Sequence, residues 1–344
     1  AGHLLRLQSP LYYLWGFRNN FRFYIAFLAF CAFLDREDGE NYLKFMDALF
    51  WLNLVMTLVQ YARDFRFDFL GGIFGTNIGC NSYSNIFMMI VVTKSLVYCF
   101  NNREGLALCL VKCFTALLVA ALAELKFFFA EFLVIAAMVF CMTRFSVRKV
   151  LVILAAGVGV LVGIAILTQL YPHFADAFVP KNFIQIATST KGYTMEGDFN
   201  RLTAIAGVNE QFLLNPVDRL FGLGLGNCDT SSFAFLETPF ATAHSDRTHY
   251  NWFSTSFIYL ETGYIGLFLF FGFYGLVYYC ADRMAKKNGN PLYCQITKVM
   301  ALNCVLLGIY NSSLRTEAGY LVYFTLALPF MKPAKLPESV GNNE

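Results

Sequence analysis

The stretch VLVILAAGVGVLVGIAILTQL, Val150 to Leu170, contains no charged residue. About 20 apolar residues carry an α-helix across the roughly 30 Å hydrocarbon core of a bilayer. Arg144, Arg148 and Lys149 precede the stretch, and Tyr171-Pro172 follow it. It reads as a membrane helix with a basic entry. That reading decides the fold class, because the rest of the chain repeats the pattern less cleanly.

Further apolar runs lie at about 22–34, 47–62, 85–100, 105–123, 127–143, 263–280, 297–311 and 317–331. Several are shorter than a perpendicular span needs, so their ends are expected to reach into flanking residues. Composition agrees with this. Of 344 residues, 57% are hydrophobic and 14% charged, against about 25% charged in soluble domains. Mean hydropathy is +0.52. These values exclude a disordered chain and an ordinary soluble enzyme, and a net charge of +3 is too small to call for a nucleic-acid partner. The 17% aromatic content suits lipid-facing and interfacial positions. The ten cysteines are spread through apolar runs with no CxxC pair, so no metal site is expected.

Short-loop cations set the expected orientation. Arg144, Arg148 and Lys149, then Arg283, Lys286 and Lys287, then Lys332 and Lys335, mark inner loops. Residues 62–84, 124–126, 171–262 and 312–316 then lie outside, as does the N-terminal stretch. An outside start without a signal peptide points to a chain that lacks its first helices. Arg18, Arg22, Arg63 and Arg66 also fall outside, against the trend. The chain divides into N-terminal membrane helices (1–170), a large outer segment (171–262), and C-terminal membrane helices with a tail (263–344).

The outer segment is far longer than a simple connection, and such loops usually carry function. Residues 171–250 hold five Lys/Arg and eight Asp/Glu, a balance of −3 that argues against an anchor on anionic lipid. All histidines but His3 lie here: His173, His244 and His249. Asp198 is placed to cap a helix from Asn200 to about Leu214, with Leu202, Ile205, Val208 and Phe212 as its apolar stripe. Asn215-Pro216 ends it. The segment Phe221-Gly-Leu-Gly-Leu-Gly-Asn227 follows. Its glycines either let the backbone approach an anion or serve a loop turning over the membrane. Then come Ala243-His-Ser-Asp-Arg-Thr-His-Tyr-Asn-Trp252 and Glu261-Thr-Gly-Tyr-Ile-Gly-Leu267, where a span begins.

This order resembles the O-antigen ligase and O-antigen polymerase superfamily of bacterial envelope glycosyltransferases. The shared features are an Arg opening a helix, Asn-Pro-x-x-Arg-x-Phe-Gly-x-Gly-x-Gly, a His/Asn pair and a Glu-x-Gly-Tyr-Ile-Gly-Leu membrane entry. Gly16-Phe-Arg-Asn-Asn-Phe-Arg22 and Glu124-Leu-Lys126 look like polymerase members. The likeness covers 195–270 most specifically. In many members Asn directly follows the motif His, whereas here Tyr250 stands between His249 and Asn251. The resemblance implies an all-α, multi-pass, GT-C-like membrane bundle with a helical periplasmic loop. It implies a metal-independent glycosyltransferase without cofactor that joins undecaprenyl-diphosphate-linked repeat units on the outer face of the bacterial inner membrane. Donor and acceptor would both be lipid-linked glycans, and a chain-length regulator and a flippase are the partners expected besides the bilayer. Ligation to lipid A core or to protein uses the same chemistry with another acceptor.

A diphosphate leaving group needs cations, and Arg matches phosphate oxygens. Arg201, in the first turn of the expected helix, opposes the helix dipole, which makes sense if both bind one anion. The alternative is a pair with Asp198 or Glu196. Arg247, Arg219 and Arg315 are further clamps, each with a plain ion-pair or solvated alternative. Lys126 binds substrate or snorkels. The acceptor hydroxyl needs a base, and His249 titrates in the right range. Asn251 orients it or binds sugar, and Glu261 orients it or replaces it as base. Gly224 and Gly226 would present backbone to the anion. Tyr250 and Trp252 stack on sugars or mark the interface. The rival class is a transporter or lipid flippase, to which Lys94 and Lys112 within spans would point. No internal repeat supports it.

Overall fold

The computed structural model describes residues 9–172, 189, 197–287 and 289–333. Glu196 and Lys335, like His3 and His173, lie outside the described residues. Among those described the chain is all helical, with no strand, and an isolated β-bridge joins Asp35 to Lys332.

Six helices form the first half: α1 (Pro10–Phe33), α2 (Arg36–Ala62), α3 (Asn81–Phe100), α4 (Leu106–Leu122), α5 (Lys126–Cys141) and α6 (Val147–Leu170). Three short ones follow, α7 (Ala204–Gln211), α8 (Pro216–Phe221) and α9 (Pro239–Thr248). The chain closes with α10 (Ser254–Lys286), α11 (Pro291–Tyr310) and α12 (Gly319–Ala327). Every expected apolar run falls on a helix. Five of these are long and apolar enough to cross a membrane: α2, α3, α6 (from Lys149), α10 and α11. α4 has 17 residues, a rise of about 25 Å, short of a full crossing.

Two boundaries move. Ser9 accepts from the Leu11 N–H (3.3 Å) and Pro10 sits at the first helical position, so α1 starts well before residue 22. It thereby takes in Gly16 to Arg22. α10 starts at Ser254, and what lies at 263 is a break inside it: Gly263 adopts φ 65°, ψ −164°. α2 opens on a reciprocal capping box between Asp35 and Asp38.

α3 runs through the middle of the bundle and is buried along most of its length. It carries Lys94, which does not snorkel. Lys94 and Lys112 pair with Asp47 and Glu104: Lys112 Nζ lies 2.9 Å from Asp47 and 3.0 Å from Glu104, and Lys94 contacts both acids. Two cations and two anions neutralise one another, which answers the desolvation that each alone would suffer. At the periphery Leu151, Leu154, Val158 and Leu161 of α6 and Phe268, Leu269 and Leu276 of α10 stand exposed. A soluble monomer rarely shows apolar patches of that extent, whereas lipid covers them without cost.

The connections gather at two ends. At one, Lys332 O accepts from Arg36 N–H (3.0 Å), and Asn101 donates to Gln295 (2.8 Å). At the other, Asn81 donates to Ala123 O (3.2 Å), Tyr171 to Leu122 O (2.9 Å), and Arg22 pairs with Glu317 (3.1 Å). The short helices α7–α9 cover the second end.

Candidate active site

The break at Gly263 organises the site. An interrupted helix leaves carbonyls without intrahelical donors. Here the Leu260 and Glu261 carbonyls accept from the N–H groups of Leu223 (2.8 Å) and Gly224 (2.9 Å). The Gly222–Gly226 stretch is therefore laid across the broken helix. A Cβ on Gly222 would sit 2.3 Å from the Glu261 carbonyl carbon. Broken helices are tolerated at membrane depth where protein or a cavity surrounds them.

The same stretch meets α1 on its other side. A Cβ on Gly16 would lie 2.2 Å from the Gly226 nitrogen, so two backbones touch where only glycine fits. That contact fixes the face of α1. Residues three and four along, Asn19 and Asn20, point the same way as Gly16. Asn19 Nδ2 donates to Asp229 (2.6 Å) and Asn20 Nδ2 to Glu261 (3.3 Å). The Cys228 N–H also donates to Glu261 (3.2 Å), whose carboxylate is fully buried.

Arg315 completes the cluster from the turn before α12. Its guanidinium lies over the Phe257 ring, 3.2 Å from the centroid, and 4.0 Å from Asp229. Burial pulls the Arg315 pKa below its ordinary value, while Asp229, Glu261 and Tyr250 act against that. An arginine stays charged under such pressure. Arg22 donates to the Arg315 carbonyl (3.0 Å) and pairs with Glu317.

Two cavities meet at Asn19 and Arg315. The larger, about 630 Å³, has apolar walls that include Phe21, Phe221, Leu269 and Phe273, with Asn20 and Glu261 in its lining. The smaller, about 300 Å³, is lined by Trp15, Arg18, Arg22, Asp229, Ser231 and Glu317 among others. An apolar chamber thus adjoins a polar recess with three arginines around it.

A second constellation lies on the same helix end. Phe257 and Glu261 are four apart on one face of α10, and Phe253 is the residue that caps its start. Arg201 lies over Phe253 (5.3 Å) as Arg315 lies over Phe257. Arg201 also stacks on Tyr310 (4.2 Å), and its Nε donates to the Tyr310 carbonyl (3.0 Å). It is not in the first turn of a helix: α7 begins at Ala204, and Asp198 does not cap it. The helix dipole and Arg201 therefore do not form the joint anion seat expected. Asp198 instead lies 3.8 Å from His249 Nδ1, and the His249 ring stacks on Trp252 (3.9 Å). His249 holds a left-handed conformation, φ 49°, at the end of α9.

The sequence-derived candidates thus divide. Glu261, Arg315 and Gly224 line the large cavity. His249 and Arg201 share the neighbouring constellation, and Asn251 sits in the 3₁₀ turn beside it. Gly226 packs on α1, and the Gly224 N–H already serves the Glu261 carbonyl. Arg219 donates to the Leu213 carbonyl (2.9 Å), Lys126 pairs with Glu124 (2.9 Å), and Arg247 is exposed at the end of α9. Asn19, Asn20 and Asp229 were not singled out from sequence. The signal available was a polar pair, flanked by Arg18 and Arg22, inside an otherwise apolar helix. Among the described residues no cluster of His, Cys, Asp and Glu suits a metal. No family model, curated protein or solved structure matches the chain.

Proposed function

We propose that the protein is a polysaccharide polymerase of the bacterial inner membrane that joins undecaprenyl-diphosphate-linked repeat units on the outer face. One observation carries this reading: the apolar 630 Å³ cavity adjoins, with Asn19 and Arg315 lining both, a recess lined by Arg18 and Arg22. That is the shape of an amphiphile with a long apolar tail, an anionic junction and a polar head. The prenyl chain would occupy the phenylalanine-walled chamber. The diphosphate would sit at Arg315 and Arg22, and the glycan would extend past Trp15 and the serines. Arginines preorganised beside a low-dielectric chamber stabilise the charge that develops as the glycosidic bond to diphosphate breaks. Arg201 and His249 lie outside both cavities and would hold the second glycan away from its reacting hydroxyl. The Asp47–Lys94–Glu104–Lys112 cluster pairs both intramembrane lysines with acids.

The test is synthesis by purified protein from a defined lipid-linked repeat, read as a gel ladder. The parent chain should build a ladder, and Arg315→Ala and His249→Ala should leave single repeats. Normal ladders from both variants would overturn the site. Single transfers without a ladder would mark a ligase. Dependence on an imposed ion gradient would mark a transporter.

A further inference from the structure

The polymerisation reading leaves open which group takes the proton from the acceptor hydroxyl. Four carboxylates or imidazoles stand near enough to be considered. Glu317 lines the recess, but its side chain is mostly exposed and is taken up by Arg22 (3.1 Å) and the Tyr83 hydroxyl (2.9 Å). Glu261 is fully enclosed, and its oxygens accept from the Cys228 N–H and from Asn20. It lines the apolar chamber and not the recess. His249 lines neither cavity. A sugar hydroxyl belongs in the polar recess, so the base has to face that space.

Asp229 does. It lines the recess with Ser231, Ser232 and Trp15. Its side chain is 10% exposed, enough to be reached and little enough to be held. One oxygen accepts from Asn19 at 2.6 Å, and the other faces the Arg315 guanidinium at 4.0 Å. Those two neighbours are the residues shared by both cavities. Asp229 therefore stands where head and tail compartments join, beside the cation assigned to the leaving group. The charged and titratable groups around it are Arg315, Glu261 and Tyr250, with Arg18, Arg22 and Glu317 lining the same recess.

We infer that Asp229 is the general base of the transfer and that Asn19 orients it; the inference rests on the polymerase reading above. The acceptor O–H bond breaks and its proton passes to an Asp229 oxygen. The acceptor oxygen forms the new bond to the anomeric carbon of the donor. The bond from that carbon to the diphosphate oxygen breaks, and the electron pair leaves with the lipid diphosphate, where Arg315 and Arg22 take up its charge. The proton then returns to water through the recess. Atoms and electrons balance without an outside reagent.

The experiment compares the parent protein with Asp229→Asn, Asp229→Ala and Asn19→Ala. Turnover is followed with the lipid-linked repeat, and donor capture by filter binding of the same radiolabelled lipid. Loss of a positioned base lowers rate about 10²–10⁴-fold. Asp229→Asn should show that fall with donor capture kept within about twofold, because the amide keeps the bond to Asn19. Asn19→Ala should cost about tenfold, since the base survives without its holder. Formate added to Asp229→Ala should restore part of the rate, which a merely structural carboxylate would not allow. Asp229→Asn turning over within tenfold of the parent, or Asp229→Ala indifferent to formate while still binding donor, overturns the assignment and leaves the polymerase reading intact. A parent protein that makes no polymer overturns both.

Discussion

Gly16→Ala adds one methyl group at the point where α1 touches the glycine stretch. The new Cβ would stand 2.2 Å from the Gly226 nitrogen and 2.7 Å from the Leu225 carbonyl carbon, whereas ordinary contacts begin near 3.4 Å. Both neighbours are backbone and cannot swing away. α1 and the stretch must therefore part by about 1.2 Å, the difference between those distances. The Asn19–Asp229 bond, now 2.6 Å, then opens to about 3.8 Å and is lost. Overpacking costs about 1–3 kcal/mol, and a lost bond to a carboxylate about 1.5–3 kcal/mol. Alanine's better helix propensity returns about 1 kcal/mol. The net expectation is a loss of about 1.5–5 kcal/mol. Activity should suffer more, about 100-fold, because an ångström of misplacement at a reacting centre has that effect. Thermal unfolding of detergent-purified protein, followed by tryptophan fluorescence, reads the first quantity, and the gel ladder reads the second. Gly272→Ala is the matched control: nothing lies within 4 Å of its Cβ position, so it should be neutral or slightly stabilising. A Gly16→Ala protein that melts with the parent and builds full-length ladders would refute the idea that this contact sets the site.

Two further outcomes follow from other parts of the molecule. Lys112→Met removes one cation from the buried cluster and leaves two carboxylates sharing Lys94; it should cost about 3–5 kcal/mol in thermal unfolding, and Asp47→Asn added to it should recover part of that loss. His244 lies between the rings of Phe212 (4.9 Å) and Phe240 (4.8 Å), and burial, then Arg247, hold its pKa below the ordinary 6.5. Its folded-state pKa is thus lower than its unfolded one, so the neutral ring's contribution is complete above about pH 6.5 and is lost as pH falls; melting curves should drop on acidification, and His244→Phe should drop less.

Much of the helical pattern is legible in sequence because the bilayer imposes length and apolarity on every span. Boundaries are less so, since they depend on local caps. Ser9-Pro10 starts α1 before its apolar run, and the Gly263 break hides a short helix, Ser254–Thr262, that periodicity joins to the loop. Within the site, Glu261 and Arg315 stand out as charges beside apolar segments. Asn19, Asn20 and Asp229 do not, because neutral amides and one loop acid gain meaning only once α1 is known to lie on residues 222–229. Nothing local encodes that neighbour. The glycines announce a close approach, yet the sequence around them does not say to what. Arg201 shows the converse: the helix expected around it begins later, and the aromatic stack on Tyr310 comes from a span more than a hundred positions away.

That distance along the chain has a consequence for how the protein is made. Asn19 and Asp229 are 210 positions apart, Asn20 and Glu261 are 241, and Arg22 and Glu317 are 295. At about 5–20 residues per second, synthesis takes roughly 10–40 s to pass from the first member of the shortest of these pairs to the second. During that interval α1 is in place with Arg22, Asn19 and Asn20, whose distant partners have not been translated. The three contacts are complete only after the turn before α12 has been made, and until then α1 waits.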